Sequence, residues 1–233
     1  MKNEVILLAG GLGTRLQKAV PDLPKPMALV CGRPFVEYIM DYLIEQNVNK
    51  FIFSVGYRHE VFKNHFSNNY KGCEVVYSVE DTPLGTGGGI KRALEYAEFN
   101  DVLIVNADTL FKVDISSFYS MHRKEKVEVS LALKNMEDVQ RYGSVEITSG
   151  NRITGFSEKK NKPGQGMING GVYLLNKKIF IKHVFAEKFS FEKDYLEQYY
   201  YKIKFCGYPS NGYFLDIGIP EDYEKAQSEF KRI

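Results

Sequence analysis

Three short stretches gather the residues best suited to handling negative charge. LAGGLGTRL (residues 8–16) follows the apolar run EVIL and brings up Arg15; PKPM (residues 24–27) sets Lys25 between two prolines; LGTGGG (residues 84–89) puts four glycines in five positions. Glycine lets backbone N–H groups approach an anion with no side chain in the way, arginine offers phosphate a planar fork, and lysine a point charge. Neither familiar phosphate motif is complete. The pattern G-x-G-x-x-G fails at Leu16, and Thr14-Arg15 stands where a P-loop ends in Lys-Ser/Thr. Taken alone, the first stretch reads better as a tight turn. Two glycine-rich turns after two strands, both at the carboxyl edge of a parallel sheet, favour a ligand cradle.

Two aspartates leave apolar strands: Asp108 in VLIVNADTLF and Asp216 in YFLDIGIPEDY. Each taken singly reads better as a turn cap. Together they have the composition of a Mg²⁺ site, which takes a couple of carboxylates plus phosphate oxygens and water. Tyr142-Gly143, Glu158-Lys159 and Asn169-Gly170-Gly171 punctuate the second half. Glu and Asn suit hydroxyl groups and Lys159 a second phosphate, although taken alone Glu158 and Lys159 read better as surface ion pairs and turns.

The elements that must carry these residues alternate in the first half. Strand-length apolar runs occur at Glu4–Leu8, Phe51–Val55, Glu74–Val79 and Val102–Val105. Between the first two, Phe35, Ile39, Tyr42 and Leu43 line one face of a helix over Pro34–Gln46. Helices are also expected over Glu60–Ser67 and Gly88–Glu98. This alternation predicts βαβ units and a mostly parallel sheet. The second half reads as strands at Val127–Lys134, a hairpin turning at Ser149-Gly150-Asn151, strands at Gly170–Leu175 and Lys202–Cys206, and a last helix opened by Pro220. The fold class expected is α/β: a Rossmann-like doubly wound, mostly parallel sheet with accessory β elements forming a pocket in the second half. One domain spans 1–233, its first half the nucleotide side.

Composition narrows the partners. The 233 residues carry a net charge of +2, so no polyanion is implied. The densest basic run, Lys159-Lys160-Asn161-Lys162, is short, and nucleic acid is not expected as a partner. Three scattered cysteines suggest neither a disulfide framework nor a zinc site and fit a reducing compartment. No run approaches the length of a membrane span. A cytoplasmic protein without membrane partners is the expectation.

GGxGTRL, PKPM, the LGTGG turn, an aspartate after the fourth strand, E-K, N-x-G and D-I-G-x-P-E-D-Y, in that order over nearly the whole chain, resemble the sugar-1-phosphate nucleotidyltransferases. Within that family PLGTGGGIK, RYGSV, INGGVYLL and FSFEKDYLEQ look most like the branch that guanylylates heptose 1-phosphate. The resemblance implies attack of a sugar 1-phosphate on the α-phosphorus of an NTP, GTP being favoured, with Mg²⁺ as cofactor. It implies catalytic roles for Arg15, Lys25, Asp108 and Asp216, the two aspartates holding the metal. It implies a nucleotide site of Leu8, Ala9, Gly10, Gly11, Gly13, Thr14, Glu80, Gly85, Thr86 and Gly87. The sugar phosphate would meet Gly143, Glu158, Lys159, Asn169 and Gly170. Two departures stand out: Ala107 replaces a common glycine, putting a methyl where it would crowd ribose or metal, and Lys160 replaces a frequent proline. The same chemistry with UTP or dTTP and a hexose or amino-sugar 1-phosphate is the main alternative, and a non-catalytic nucleotide-sugar binder a remoter one. An NAD-dependent oxidoreductase is disfavoured by the missing third glycine. The sequence leaves room for a homo-oligomer.

Overall fold

The computed structural model describes residues 3–11, 16, 20–21, 23–158 and 164–232; Gly13, Thr14, Arg15, Lys159 and Lys160 lie outside the described residues. Strand β1 (Asn3–Leu8) leads to a small hairpin, β2 (Leu29–Val30) with β3 (Arg33–Pro34), and then to α1 (Phe35–Glu45) and β4 (Val48–Val55). Helix α2 (His59–Phe66), short β5 (Asn69–Tyr70) and β6 (Cys73–Val79) follow, then α3 (Gly85–Ala93) and β7 (Asp101–Asn106). Strands β6, β4, β1 and β7 lie side by side and parallel, as the alternation predicts.

Residue alternation along β1 explains the two-sided layering. Val5 and Leu7 join the core formed with Phe35, Ile39 and Leu43 of α1 and Phe62 of α2. Ile6 points the other way, into the core containing Ile90 and Ala93 of α3. A side-chain period of two with both faces covered gives near-continuous apolar strands. The chain runs from β1 to β4 to β6 in one direction, then returns to place β7 on the opposite side of β1. That reversal makes the carboxyl ends of β1 and β7 a topological switch point, where α/β sheets bind ligands.

The second half extends the same sheet in antiparallel fashion. After β8 (Thr109–Phe111) and α4 (Ile115–Glu125) come β9 (Val129–Met136), the hairpin β10 (Ser144–Ile147) and β11 (Ile153–Ser157), and the long β12 (Gly166–Asn176). One edge of β12 pairs with β9; the other pairs with β7 through Val172–Asn176 and with β10 through Met167 and Ile168. Asn169 to Tyr173 breaks the β9 register, and Gly171 sits there at φ +72°, a conformation that favours glycine. Helix α5 (Lys177–Phe180), a π-helical turn at Phe191–Leu196 with α6 (Glu197–Tyr199), β13 (Phe205–Pro209), β14 (Phe214–Asp216) and α7 (Pro220–Glu229) complete the described chain.

The glycine-rich stretch differs from a loop. Its glycines form the first turns of α3, which begins at Gly85 rather than at Gly88. A long-range strap explains them. Phe189 O accepts from Gly87 N at 3.0 Å and Gly88 N at 3.4 Å, and Phe189 N donates to Leu84 O at 3.0 Å. A Cβ at Gly87 would overlap the Phe189 ring, and one at Gly88 would stand 2.6 Å from Glu187 O. Gly87→Ala should therefore destabilise the fold by about 1–3 kcal/mol, the usual cost of overpacking. Urea unfolding checks this; an unchanged midpoint would show that the strap does not require the glycine.

Candidate active site

Lys25 enters the site from a single 3₁₀ turn, Lys25–Met27, launched by Pro24. Pro26 and Met27 are buried and anchor that turn. The prolines thus restrict the backbone that carries the lysine. Asp108 follows β7, whose end is tied to β1 by Ala107 N donating to Leu8 O at 3.1 Å. Asp216 ends β14, which pairs antiparallel with β8 in the register Asp216↔Thr109, Leu215↔Leu110, Phe214↔Phe111. Ile217 N extends the pairing to Asp108 O at 3.1 Å. This two-stranded ribbon brings together two carboxylates far apart in sequence.

Lys25 bridges them. Its Nζ donates to Asp108 Oδ2 at 2.5 Å and to Asp216 Oδ1 at 3.3 Å. The lysine side chain is 11% exposed, those of Asp108 and Asp216 32% and 24%. Burial works against the lysine's charge, yet the charges of Asp108 and Asp216 and the hydrogen bonds to them outweigh it and raise the Lys25 pKa. Burial likewise works against the Asp108 anion, and the charge and hydrogen bond of Lys25 outweigh it, lowering that pKa. Asp216 goes the other way: burial and the neighbouring Asp108 charge lift its pKa above the ordinary carboxylate range. Gly218 leaves the space for this contact, since a Cβ there would stand 3.0 Å from Asp216 Oδ1 and 3.2 Å from Lys25 Nζ.

Two adjoining cavities meet at this cluster. One, of about 410 Å³, is lined by Leu8, Ala9, Gly10, Gly11, Glu80, Gly85 and Thr86, with Lys25 and Asp108 on its border. It lies at the β1/β7 switch point. Glu80 Oε2 accepts from Leu84 N at 2.9 Å and Oε1 from Ser54 Oγ at 3.3 Å, which orients its carboxylate. The other cavity, of about 280 Å³, takes in Gly143, Glu158, Asn169 and Gly170 together with Asp216. Lys25, Thr86, Asn106, Asp108 and Gly218 border both.

Most described residues expected in the site therefore converge. Gly87 is the exception: it is buried under Phe189 and lines neither cavity. Ala107 also corrects an expectation, because its methyl lies in the hydrophobic core and borders neither cavity. His59, His65, His122 and His183 line neither. Residues not singled out beforehand include Asn106, Gly218, Glu192, and Arg141, which pairs with Asp222. Asn106 had a signal, a polar residue closing an apolar strand two places before Asp108. Glu192 had none, being one acid within a mixed FSFEKDYLEQ stretch.

The carboxylate pair passes a simple test for a divalent cation. Two hard oxygen donors already converge on one positive centre, the Lys25 ammonium. Among the described residues no group of three or more His, Cys, Asp and Glu side chains has metal-site geometry. Such a pair suits an ion completed by substrate phosphates and water.

The profile of the family described as Nucleotidyl transferase matches residues 4–232. The chain is 47% identical over 228 residues to D-glycero-alpha-D-manno-heptose 1-phosphate guanylyltransferase of Aneurinibacillus thermoaerophilus, covering 98% of each chain. It is 43% identical over 220 residues to the protein of the same description from Campylobacter jejuni, covering 94% of this chain and 96% of that one. Among solved structures, HddC from Yersinia pseudotuberculosis complexed with GMP-PN is similar with a TM-score of 0.87 and 37% identity, over 98% of this chain and 99% of that one.

The charge cluster also makes a stability prediction. The raised Lys25 pKa contributes stability that is present below the ordinary lysine pKa and lost as pH rises through the folded value; the lowered Asp108 pKa contributes stability present above the ordinary carboxylate value and lost as pH falls. The raised Asp216 pKa opposes folding once that group must ionise. Lys25→Met leaves two facing carboxylates without a counter-charge. It should cost about 3 kcal/mol at pH 7, the low end for breaking a buried pair because both acids keep partial solvent access. The loss should shrink as pH falls, because protonation of either acid relieves the repulsion. Denaturant titrations at about pH 7 and at an acidic pH test this, and an equal loss at each would contradict it.

Proposed function

The chain belongs to the nucleotidyl transferase family, and from that premise we propose that it transfers the guanylyl group of GTP to D-glycero-D-manno-heptose 1-phosphate, forming GDP-heptose and releasing pyrophosphate. The observation that carries this reading is the meeting of two cavities at Lys25 and Asp108. A donor and an acceptor that are both anionic need positive charge at their shared border: Lys25 supplies one, and a cation held by Asp108 and Asp216 would supply the rest.

In this reading the cavity beside β1 takes the nucleotide. Leu8, Ala9, Gly10 and Gly11 line the base and phosphates, while Glu80 suits guanine, whose N1–H and N2 amino group present donors to a carboxylate. Gly13, Thr14 and Arg15, next in the sequence, would hold the triphosphate. Thr86 and Gly85 close the floor. In the adjoining cavity Glu158, Asn169 and Glu192 read sugar hydroxyls and Gly143 and Gly170 give backbone access; Lys159, next to Glu158 in the sequence, would bind the acceptor phosphate.

The chemistry asks little of acid–base groups. A phosphate monoester loses its second proton near pH 6, so the attacking oxygen is already anionic at neutral pH. That oxygen forms a bond to the α-phosphorus, the bond to the bridging oxygen breaks, and pyrophosphate leaves with the electron pair. Histidines outside both cavities are consistent with this. Placement and charge neutralisation do the catalysis. Lys25 flanks the transferred group, and Arg15 compensates the charge gathering on the leaving pyrophosphate. Asp108 and Asp216 would hold Mg²⁺, which when bound neutralises phosphate charge and polarises the phosphorus. The unpaired Cys31, Cys73 and Cys206 suit a cytoplasmic enzyme, and no described helix is long and apolar enough to cross a membrane.

The test is a panel of GTP, UTP, dTTP and ATP against heptose, hexose and amino-sugar 1-phosphates, followed by pyrophosphate release with Mg²⁺ and with chelator. GTP with heptose 1-phosphate should turn over best and only with the cation. A better rate with UTP or dTTP and a hexose would displace the specificity; no release from any pair would displace the reaction. Asp108→Asn should lower turnover at least about a hundredfold with the circular dichroism spectrum unchanged; near-normal turnover would remove its metal role. For Lys25→Ala, kcat should fall more than the nucleotide KM rises, since its charge is needed most in the transition state.

A further inference from the structure

Thr86 sits in the turn expected to serve the nucleotide, yet its hydroxyl is committed elsewhere. Oγ1 donates to Glu192 Oε2 at 2.6 Å and accepts from Phe191 N at 2.9 Å. Ser190 Oγ reaches the same Glu192 oxygen at 3.1 Å. Glu192 lines the acceptor cavity, whereas Thr86 borders both cavities. One hydroxyl of the donor-side helix therefore fixes a carboxylate and the backbone next to it on the acceptor side.

The surrounding contacts make this a seat rather than an isolated bond. Phe189 O takes the amides of Gly87 and Gly88, and Phe189 N returns a bond to Leu84 O. These are the glycines whose missing side chains admit Phe189 and Glu187. The strap and the first turn of α3 are thus docked backbone to backbone, and Thr86 adds the side-chain bond that orients Glu192 at the cavity wall. A glutamate left alone has three rotatable bonds to immobilise when a ligand binds; a hydroxyl that already holds one carboxylate oxygen removes much of that cost.

We propose that Thr86 is a positioning residue for the acceptor: it holds the Glu192 carboxylate towards a polyhydroxylated ligand and so sets acceptor affinity from the donor-side helix. The assignment rests on the reading of the second cavity as the sugar site. It separates Thr86 from Gly85, which lines the donor cavity alone.

Thr86→Val removes the hydroxyl and keeps the shape, and Thr86→Ser keeps the hydroxyl. With GTP and heptose 1-phosphate varied separately, Thr86→Val should raise the acceptor KM about tenfold, as expected for loss of a hydrogen bond to a charged group, with the GTP KM changed by no more than about twofold. Thr86→Ser should restore the acceptor KM. In Glu192→Gln the acceptor KM should rise, and adding Thr86→Val to it should cost little more, because the two residues act as one unit. Amide exchange at Phe191 should quicken in Thr86→Val and not in Thr86→Ser. An active wild type whose Thr86→Val variant keeps its acceptor KM, or loses GTP affinity instead, overturns this proposal alone. A wild type inactive with every acceptor overturns the functional reading and this proposal with it.

Discussion

Everything at the site depends on one ammonium group lying between two carboxylates. Lys25 Nζ reaches Asp108 and Asp216 at once and offsets the repulsion between the two acids in that half-buried corner. The contact joins three distant parts of the chain: the proline-bounded turn after β1, the end of β7, and the β8–β14 ribbon. A fold that fails to bring these together has no site. Hydrophobic burial supplies the bulk of the holding energy, at roughly 1.5–3 kcal/mol for each large side chain fully buried, and the two cores on opposite faces of the sheet set where the three segments end. The ion pairs then decide the arrangement within a few ångströms.

How much of this could be read from the chain differs by feature, for physical reasons. The four parallel strands were legible because their apolar runs are separated by helix patterns. Lys25 and Asp108 were legible because unusual neighbours mark them: two prolines in one case, an abrupt end to an apolar strand in the other. The meeting of Asp108 with Asp216 was not demonstrable. It depends on a ribbon of three residues per strand, too short to carry a periodic signal.

The glycine-rich segment shows the converse. Its composition suggested a cradle for phosphate, but much of its glycine content answers to Phe189 and Glu187, about a hundred residues downstream. A sequence records that side chains are excluded without recording by what. Gly218 and Ala107 follow the same rule: the first is small because Asp216 and Lys25 crowd it, whereas the methyl of the second goes to the core. Asn106 and Glu192 complete the cavity walls, and only the folded neighbourhood distinguishes Glu192 from the other acids of its stretch.

Strand β12 borders β7 with one part of its length and β10 with another. Asn169 belongs to the second cavity, and Val172, three residues on, is already paired beside the strand that ends at the first. The gap between the two cavities is therefore spanned by a single length of backbone, bent at Gly171. That one bent segment sets the two cavities apart, as a carpenter's square fixes the distance between two marks. Adding or removing a residue between Asn169 and Val172 would move the marks relative to each other while leaving each lobe's chemistry intact.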